Sequence, residues 1–214
     1  MLKKTLVLAL LAVSSASFAG NWQVKVGGSV VAPSADDSTL NTKQQLGTDL
    51  HNVKAEHAAS FTPSIEYFFN DTGISTELLL ATPIKHDVSS TETGGTFASF
   101  KHLPPTLTVK YNFQNSTGFT PYIGAGATAV ITFQEKVDVD GANLKASNAY
   151  GPAGQVGFTF APADAKNWSV FFDTRYAHVK SKLKLDAGDG NGYQKIGDLK
   201  VNPWVYTAGF AYRF

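Results

Sequence analysis

Five histidines, His51, His57, His86, His102 and His178, are the residues of this chain whose type suits metal or hydrolytic chemistry. A histidine needs partners for either. A metal wants several ligands within bonding distance, and hydrolysis wants a nucleophile, a base and oxyanion donors held together. Asp87, Ser89 and Ser90 stand near His86 in sequence, but no motif ties any of them to His86 or His102. Asp138, Asp140 and Asn143 lack the register and the terminal glutamate of a calcium-binding hand. The expectation is a protein that is not an enzyme, with no metal site, no cofactor and histidines that are solvated or interfacial.

Seven other charged residues have a more informative spacing. Lys25, Glu66, Glu77, Lys110, Asp173, Arg175 and Arg213 each interrupt a run in which large apolar residues recur at every second position. Such a run is a strand with one apolar and one polar face. The apolar faces read Trp22, Val24, Val26; Phe61, Ile65, Tyr67, Phe69; Ile74, Leu78, Leu80; Leu107, Val109, Tyr111, Phe113; Ile123, Ala125, Ile131, Phe133; Val156, Phe158, Phe160; and Trp168, Val170, Phe172, Tyr176. The chain then ends on a ladder of Trp204, Tyr206, Phe210, Tyr212 and Phe214. All seven charges fall on the opposite parity, which random placement would give about once in a hundred. A charge facing lipid at mid-membrane costs roughly 2 to 4 kcal/mol, whereas one facing a lumen can be paired or hydrated.

Eight segments carry this alternation: 21–31, 59–69, 73–83, 103–113, 121–133, 150–161, 168–178 and 200–214. Each has the roughly 9 to 11 residues a tilted strand needs to cross a bilayer. Short turns at 70–72, 114–119 and 162–167 alternate with long polar connections at about 32–58, 84–102, 134–149 and 187–199. The expected fold is an all-β, eight-stranded antiparallel transmembrane barrel with long extracellular loops and short periplasmic turns, placed in a bacterial outer membrane. Eight strands leave an interior that side chains can fill, so a lumen of mixed charge points to a plug rather than a wide pore. Toward the outer rim the inward residues turn apolar at Leu79, Ala81, Val130 and Val205, as a pocket for an apolar solute would.

The front of the chain supports export. Lys3 and Lys4 precede an apolar run from Leu6 to Val13, and Ser17-Phe18-Ala19 is a small-x-small cleavage signal, giving a signal peptide over 1–19 and one barrel domain over 20–214. That apolar run is far shorter than the roughly 20 residues of a spanning helix. There is no cysteine, hence no disulfide and no lipid-modified cysteine. The net charge of +1 falls to −1 once the two leader lysines are removed, and no long basic tract suggests nucleic acid. Lys180-Ser181-Lys182-Leu183-Lys184 reads as a hydrated strand extension in preference to a headgroup site. Pro83, Pro104, Pro105 and Pro203 cluster where strands reach the outer rim and pairing ends.

Several of these segments also resemble the outer membrane protein W (OmpW) family. The similarity rests on Gly73 to Pro83 with its exit Ile84-Lys85-His86, on His102-Leu103-Pro104-Pro105-Thr106, on Pro121 to Gly126, on Gly154 to Gly157, and on Asn202-Pro203-Trp204 leading to Tyr212-Arg213-Phe214. What the resemblance implies is a passive conduit for small, mainly hydrophobic molecules, with an apolar constriction partway down and lateral release into the bilayer. Leu79 would form the aliphatic side of that constriction. The chain departs from the pattern where Asp173 and Arg175 turn inward, and their pairing with Lys110, Glu77 or Glu66 is the expectation. The expected partners are outer-membrane lipid, small hydrophobic solutes and, through Phe210, Tyr212 and Phe214, the barrel-assembly machinery, with the chain a monomer or weak oligomer. The alternative function is a structural or receptor barrel acting through its loops as an adhesin or a phage or colicin receptor.

Overall fold

The computed structural model describes residues 21–34, 38–43, 47–137, 142–188 and 190–214. The leader over 1–19 and the aspartates Asp138 and Asp140 lie outside the described residues. The strands in chain order are β1 (Trp22–Pro33), β2 (Ser38–Leu40), β3 (Leu50–Ala55), β4 (Ala58–Phe68), β5 (Ile74–Leu79), β6 (Ile84–Ser90), β7 (Gly95–Leu103) and β8 (Thr106–Asn112). They continue with β9 (Phe119–Val137), β10 (Asn143–Ala146), β11 (Ala149–Phe160), β12 (Trp168–Ala177), β13 (Lys180–Asp186), β14 (Gln194–Lys200) and β15 (Pro203–Arg213).

Eight of these, β1, β4, β5, β8, β9, β11, β12 and β15, form a closed antiparallel ring. Closure removes the sheet edge whose backbone polar groups a bilayer would leave unsatisfied. The two chain ends are joined by the β1–β15 ladder, from Gln23 opposite Arg213 to Pro33 opposite Pro203. Among the described residues, every side chain assigned above to the apolar faces is at least partly exposed, and the inward set is dominated by Gln, Lys, Glu, Ser, Thr and Asp. Aromatic pairs mark the two bilayer boundaries: Trp22–Tyr67, Tyr111–Phe113 and Tyr212–Phe214 at the short-turn end, and Tyr176–Trp204 at the other. The turn at Asn70–Thr72 ends on Gly73 at φ 74°, a left-handed conformation that glycine adopts without strain.

The outer connections differ from expectation. They are not open polar loops but strands: β2, β3, β6 and β7 extend one sheet from the outer half of β9, while β10, β13 and β14 form a second. Their inward residues, among them Leu40, Val53, Val88, Phe100, Leu144, Leu185 and Ile196, bury a hydrophobic core above the barrel mouth. The reason is alternation in short runs. In Lys182-Leu183-Lys184-Leu185 the lysines face water and the leucines face the core. The outer connections therefore make a folded cap.

Candidate functional site

The barrel interior divides into a polar plug and an apolar chamber. At the plug's centre is Glu77 of β5. Its Oε1 accepts from Arg175 Nη2 at 2.9 Å and Ser64 Oγ at 2.7 Å, and its Oε2 from Lys110 Nζ at 3.1 Å, Gln155 Nε2 at 3.2 Å and Lys25 Nζ at 3.3 Å. Glu66 of β4 takes the other side of the lysines, with Lys25 at 2.5 Å and Lys110 at 2.8 Å, and also accepts from Ser75 Oγ. Asp173 Oδ2 receives Arg175 Nη2 at 3.0 Å, Gln155 Nε2 at 2.9 Å and the Tyr122 hydroxyl at 3.3 Å. Three cations thus meet three carboxylates, and none of the six side chains has solvent contact beyond a few per cent. A buried pair is stable only when its remaining hydrogen-bonding capacity is also met, and the serines, Gln155 and Tyr122 meet most of it here, leaving Asp173 Oδ1 and two donors of Arg175 without a partner among the described residues.

Strands from around the ring, β1, β4, β5, β8, β9, β11 and β12, supply these side chains by simple parity, since residues opposite in an antiparallel ladder share a face. Glu66 faces Glu77 across β4–β5, and Gln155 faces Arg175 across β11–β12. Placing two carboxylates opposite each other is unfavourable alone. The lysines from β1 and β8 between them reverse that balance.

Tyr122 of β9 completes the plug and was not singled out from sequence. Among the described residues it is the largest fully buried side chain, with Lys110 Nζ 3.8 Å from its ring centroid. The signal was its parity opposite to Ile123. Gly157 makes room for it: a Cβ there would sit 2.8 Å from the Tyr122 ring and 2.6 Å from Asp173 Cβ.

The expected lumenal set is thus brought together with one exception. Arg213 stands apart at the short-turn end, its guanidinium 4.1 Å over the Phe68 ring, and it lines a polar vestibule there with Gln23 and Asn112. Its place next to the last residue of the chain puts it below the plug. Of the expected partners for the seventh-strand pair, Arg175 takes Glu77 and its own neighbour Asp173, while Glu66 is left to the lysines.

Above the plug is the chamber. Leu79, Ala81, Val130 and Val205 all line it, together with Val31, Ile84, Phe100, Val179, Leu183 and Leu199 from the rim and cap. It encloses about 920 Å³ of space free of protein atoms, its open end included. Its floor is Arg175, whose Nε and Nη1 are buried without an acceptor among the described residues. Of the family motif, His102, Pro104 and Thr106 line the chamber, whereas the Pro105 carbonyl accepts from Ala129 N and Leu103 pairs with Ile131 in the wall.

His86 and His102 also line the chamber, which corrects the expectation that they are solvated or interfacial. Their rings stack 5.0 Å apart with 7° between planes, and both are buried. His86 shares parity with Ile84 and Val88, so the strand that buries those residues buries it too. The Glu56 carbonyl accepts from His86 Nδ1 at 2.6 Å, which puts the proton on Nδ1 and leaves Nε2 with no donor among the described residues. Burial, and then the neighbouring ring, push His102 down to about 3, and burial lowers His86 in the same direction. His51, His57 and His178 are exposed as expected. Of the polar neighbours of His86 in sequence, Ser90 Oγ donates to the His51 carbonyl and Asp87 pairs with Lys85 at 2.7 Å.

Pairing between β5 and β8 ends at Leu79 opposite Thr106 and resumes between β6 and β7 only at Ile84 opposite His102. In the gap lie Leu80 to Pro83 on one side and Leu103 to Pro105 on the other, with Ala81 and Pro104 touching the chamber. Prolines contribute no N–H, so the ladder cannot close there.

Comparison with known proteins agrees with this architecture. The OmpW family model matches residues 18–214. Outer membrane protein W of Vibrio cholerae serotype O1 is 34% identical over 207 residues, covering 91% of this chain and 89% of that protein. Among solved structures, the crystal structure of the outer membrane protein OprG from Pseudomonas aeruginosa superposes with a TM-score of 0.78 at 27% identity, covering 92% of this chain and 96% of that one. The structure of outer membrane protein AlkL in DMPC lipid bilayers shares the fold with a TM-score of 0.68 at 22% identity, covering 91% and 90%. The chain belongs to the OmpW family and is an eight-stranded barrel of the outer membrane.

Proposed function

We propose that the protein admits small, mainly hydrophobic molecules through the outer membrane passively, by way of the apolar chamber. The observation that carries this reading is the chamber's position: an apolar cavity lies directly above a neutralised, water-excluding plug. A solute leaving the polar surface layer gains burial against Leu79, Val130 and Val205, worth about 25 cal/mol per Å² of apolar area. It meets buried charge if it continues straight down. The unpaired stretch beside Ala81 and Pro104 offers a sideways exit into lipid, where an apolar solute is already soluble. Phe210 and Tyr212 on the outer face of β15, and Phe214 just beyond it, stay exposed, where the assembly machinery would read them.

The test is occupancy. With the protein in bilayers and a deuterated lipid background, nuclear Overhauser contacts from octane to the methyl groups of Leu79 and Val205 are expected, and Leu79→Lys is expected to abolish them. Contacts confined to the exposed face of β5 and β8 would leave a barrel that acts through its cap, as a receptor would.

A further inference from the structure

We infer that the outward face of the β10–β13–β14 sheet is a binding surface for the phosphate groups of an anionic glycolipid in the outer leaflet. Register carries the inference. Lys145 of β10 stands directly opposite Lys184 of β13, which stands opposite Lys195 of β14. One step nearer the barrel Lys182 faces Asp198, and one further step down Lys180 faces Lys200. All six lysines are exposed on one face, because Leu144, Leu183, Leu185, Ile196 and Leu199 hold the other face in the cap core.

Like charges directly opposite on a sheet destabilise it. This sheet has a row of three lysines and a further opposed pair, relieved by few acids: Asp198 pairs with Lys195 at 3.1 Å, and Asp186 caps the Gly188 amide. The concentration is local, since the whole chain is close to neutral. A patch that weakens its own fold without a ligand gains stability from a polyanion laid across it.

Height selects the polyanion. Lys180 and Lys200 each lie four residues beyond an aromatic of the outer girdle, Tyr176 and Trp204, which places them roughly 10 Å past the hydrocarbon edge for tilted strands. Lipid headgroups occupy that layer. Three lysines acting together near an anionic surface favour a phosphorylated lipid about a hundredfold over a neutral one.

The test uses the full protein in phosphatidylcholine bilayers doped with lipid A, followed by extraction into neutral detergent and native mass spectrometry. Wild type is expected to retain lipid A, and Lys180→Gln/Lys184→Gln/Lys200→Gln to retain about a hundredfold less while its cap becomes more stable to urea. Equal retention by the two proteins overturns the inference. Should the triple variant not fold, as judged by heat-modifiable migration, wild type is compared on lipid A and its dephosphorylated form. Retention of the phosphorylated form alone, declining with salt, supports the site, and equal retention of both refutes it. Inorganic phosphate is the third arm: complete displacement of lipid A by phosphate alone would make this a soluble-anion site and contradict assignment to a lipid.

Discussion

Arg175 Nη2 lies 2.9 Å from Glu77 Oε1, and this pair joins the floor of the apolar chamber to the centre of the polar plug. Residues 98 positions apart are held on facing walls of the barrel by one contact, so plug and chamber are coupled.

Removing the central carboxylate should therefore be costly. Glu77→Gln leaves Lys25, Lys110 and Arg175 with two carboxylates among three buried cations. Breaking a buried pair from one side costs about 3 to 5 kcal/mol. We expect a loss of that order in urea unfolding in lipid, with Ser64→Ala costing about 1 kcal/mol. Equal small effects from both would mean that Glu77 is not central.

The free donors of Arg175 should make the chamber prefer oxygenated solutes. A ketone or alcohol oxygen can accept from Nε or Nη1, whereas an alkane leaves them unmet. One such hydrogen bond is worth about 1 kcal/mol, or several-fold in affinity. Arg175→Lys keeps a cation for Glu77 and Asp173 but lacks the fork. The preference for 2-octanone over octane is expected to vanish in it, with octane binding unchanged.

Acid should loosen the cap. His86 and His102 are held below their ordinary range by burial, so the closed cap binds fewer protons than an opened one. Stability from this source is complete above the unfolded value of about 6.5 and falls as pH drops toward the folded His102 value of about 3. Amide protection in β6 and β7, corrected for intrinsic exchange, is expected to fall at least about tenfold between pH 7 and 4.5. His86→Phe/His102→Phe should remove most of that dependence. An unchanged acid response in this variant would place the sensitivity elsewhere.

The barrel was legible because each crossing strand obeys one physical rule, lipid on one side and lumen on the other. Parity alone therefore located Lys25, Glu66, Glu77, Lys110, Asp173 and Arg175. Tyr122 is harder to read because most large aromatics of the other crossing strands lie on the lipid face, although Ile123 beside it fixes its inward direction. The cap escaped for a different reason. Its alternating runs, such as Lys182 to Leu185 and Ile84 to Val88, are short and separated by polar segments, and their value depends on contacts between connections far apart in sequence. His86 and His102 come together only when β6 pairs with β7, which neither local sequence dictates. Arg213 shares the plug's parity but not its height, and parity carries no information about height near a chain end.

The most direct measurement is uptake by proteoliposomes whose outer leaflet carries lipopolysaccharide, comparing octane with a hydrophilic solute of equal size. We expect octane entry to exceed that of protein-free vesicles, to fall to their level with Leu79→Lys, and the hydrophilic solute to be excluded throughout. Hydrophilic passage equal to octane passage, or octane entry untouched by Leu79→Lys, would contradict an apolar chamber above a closed plug.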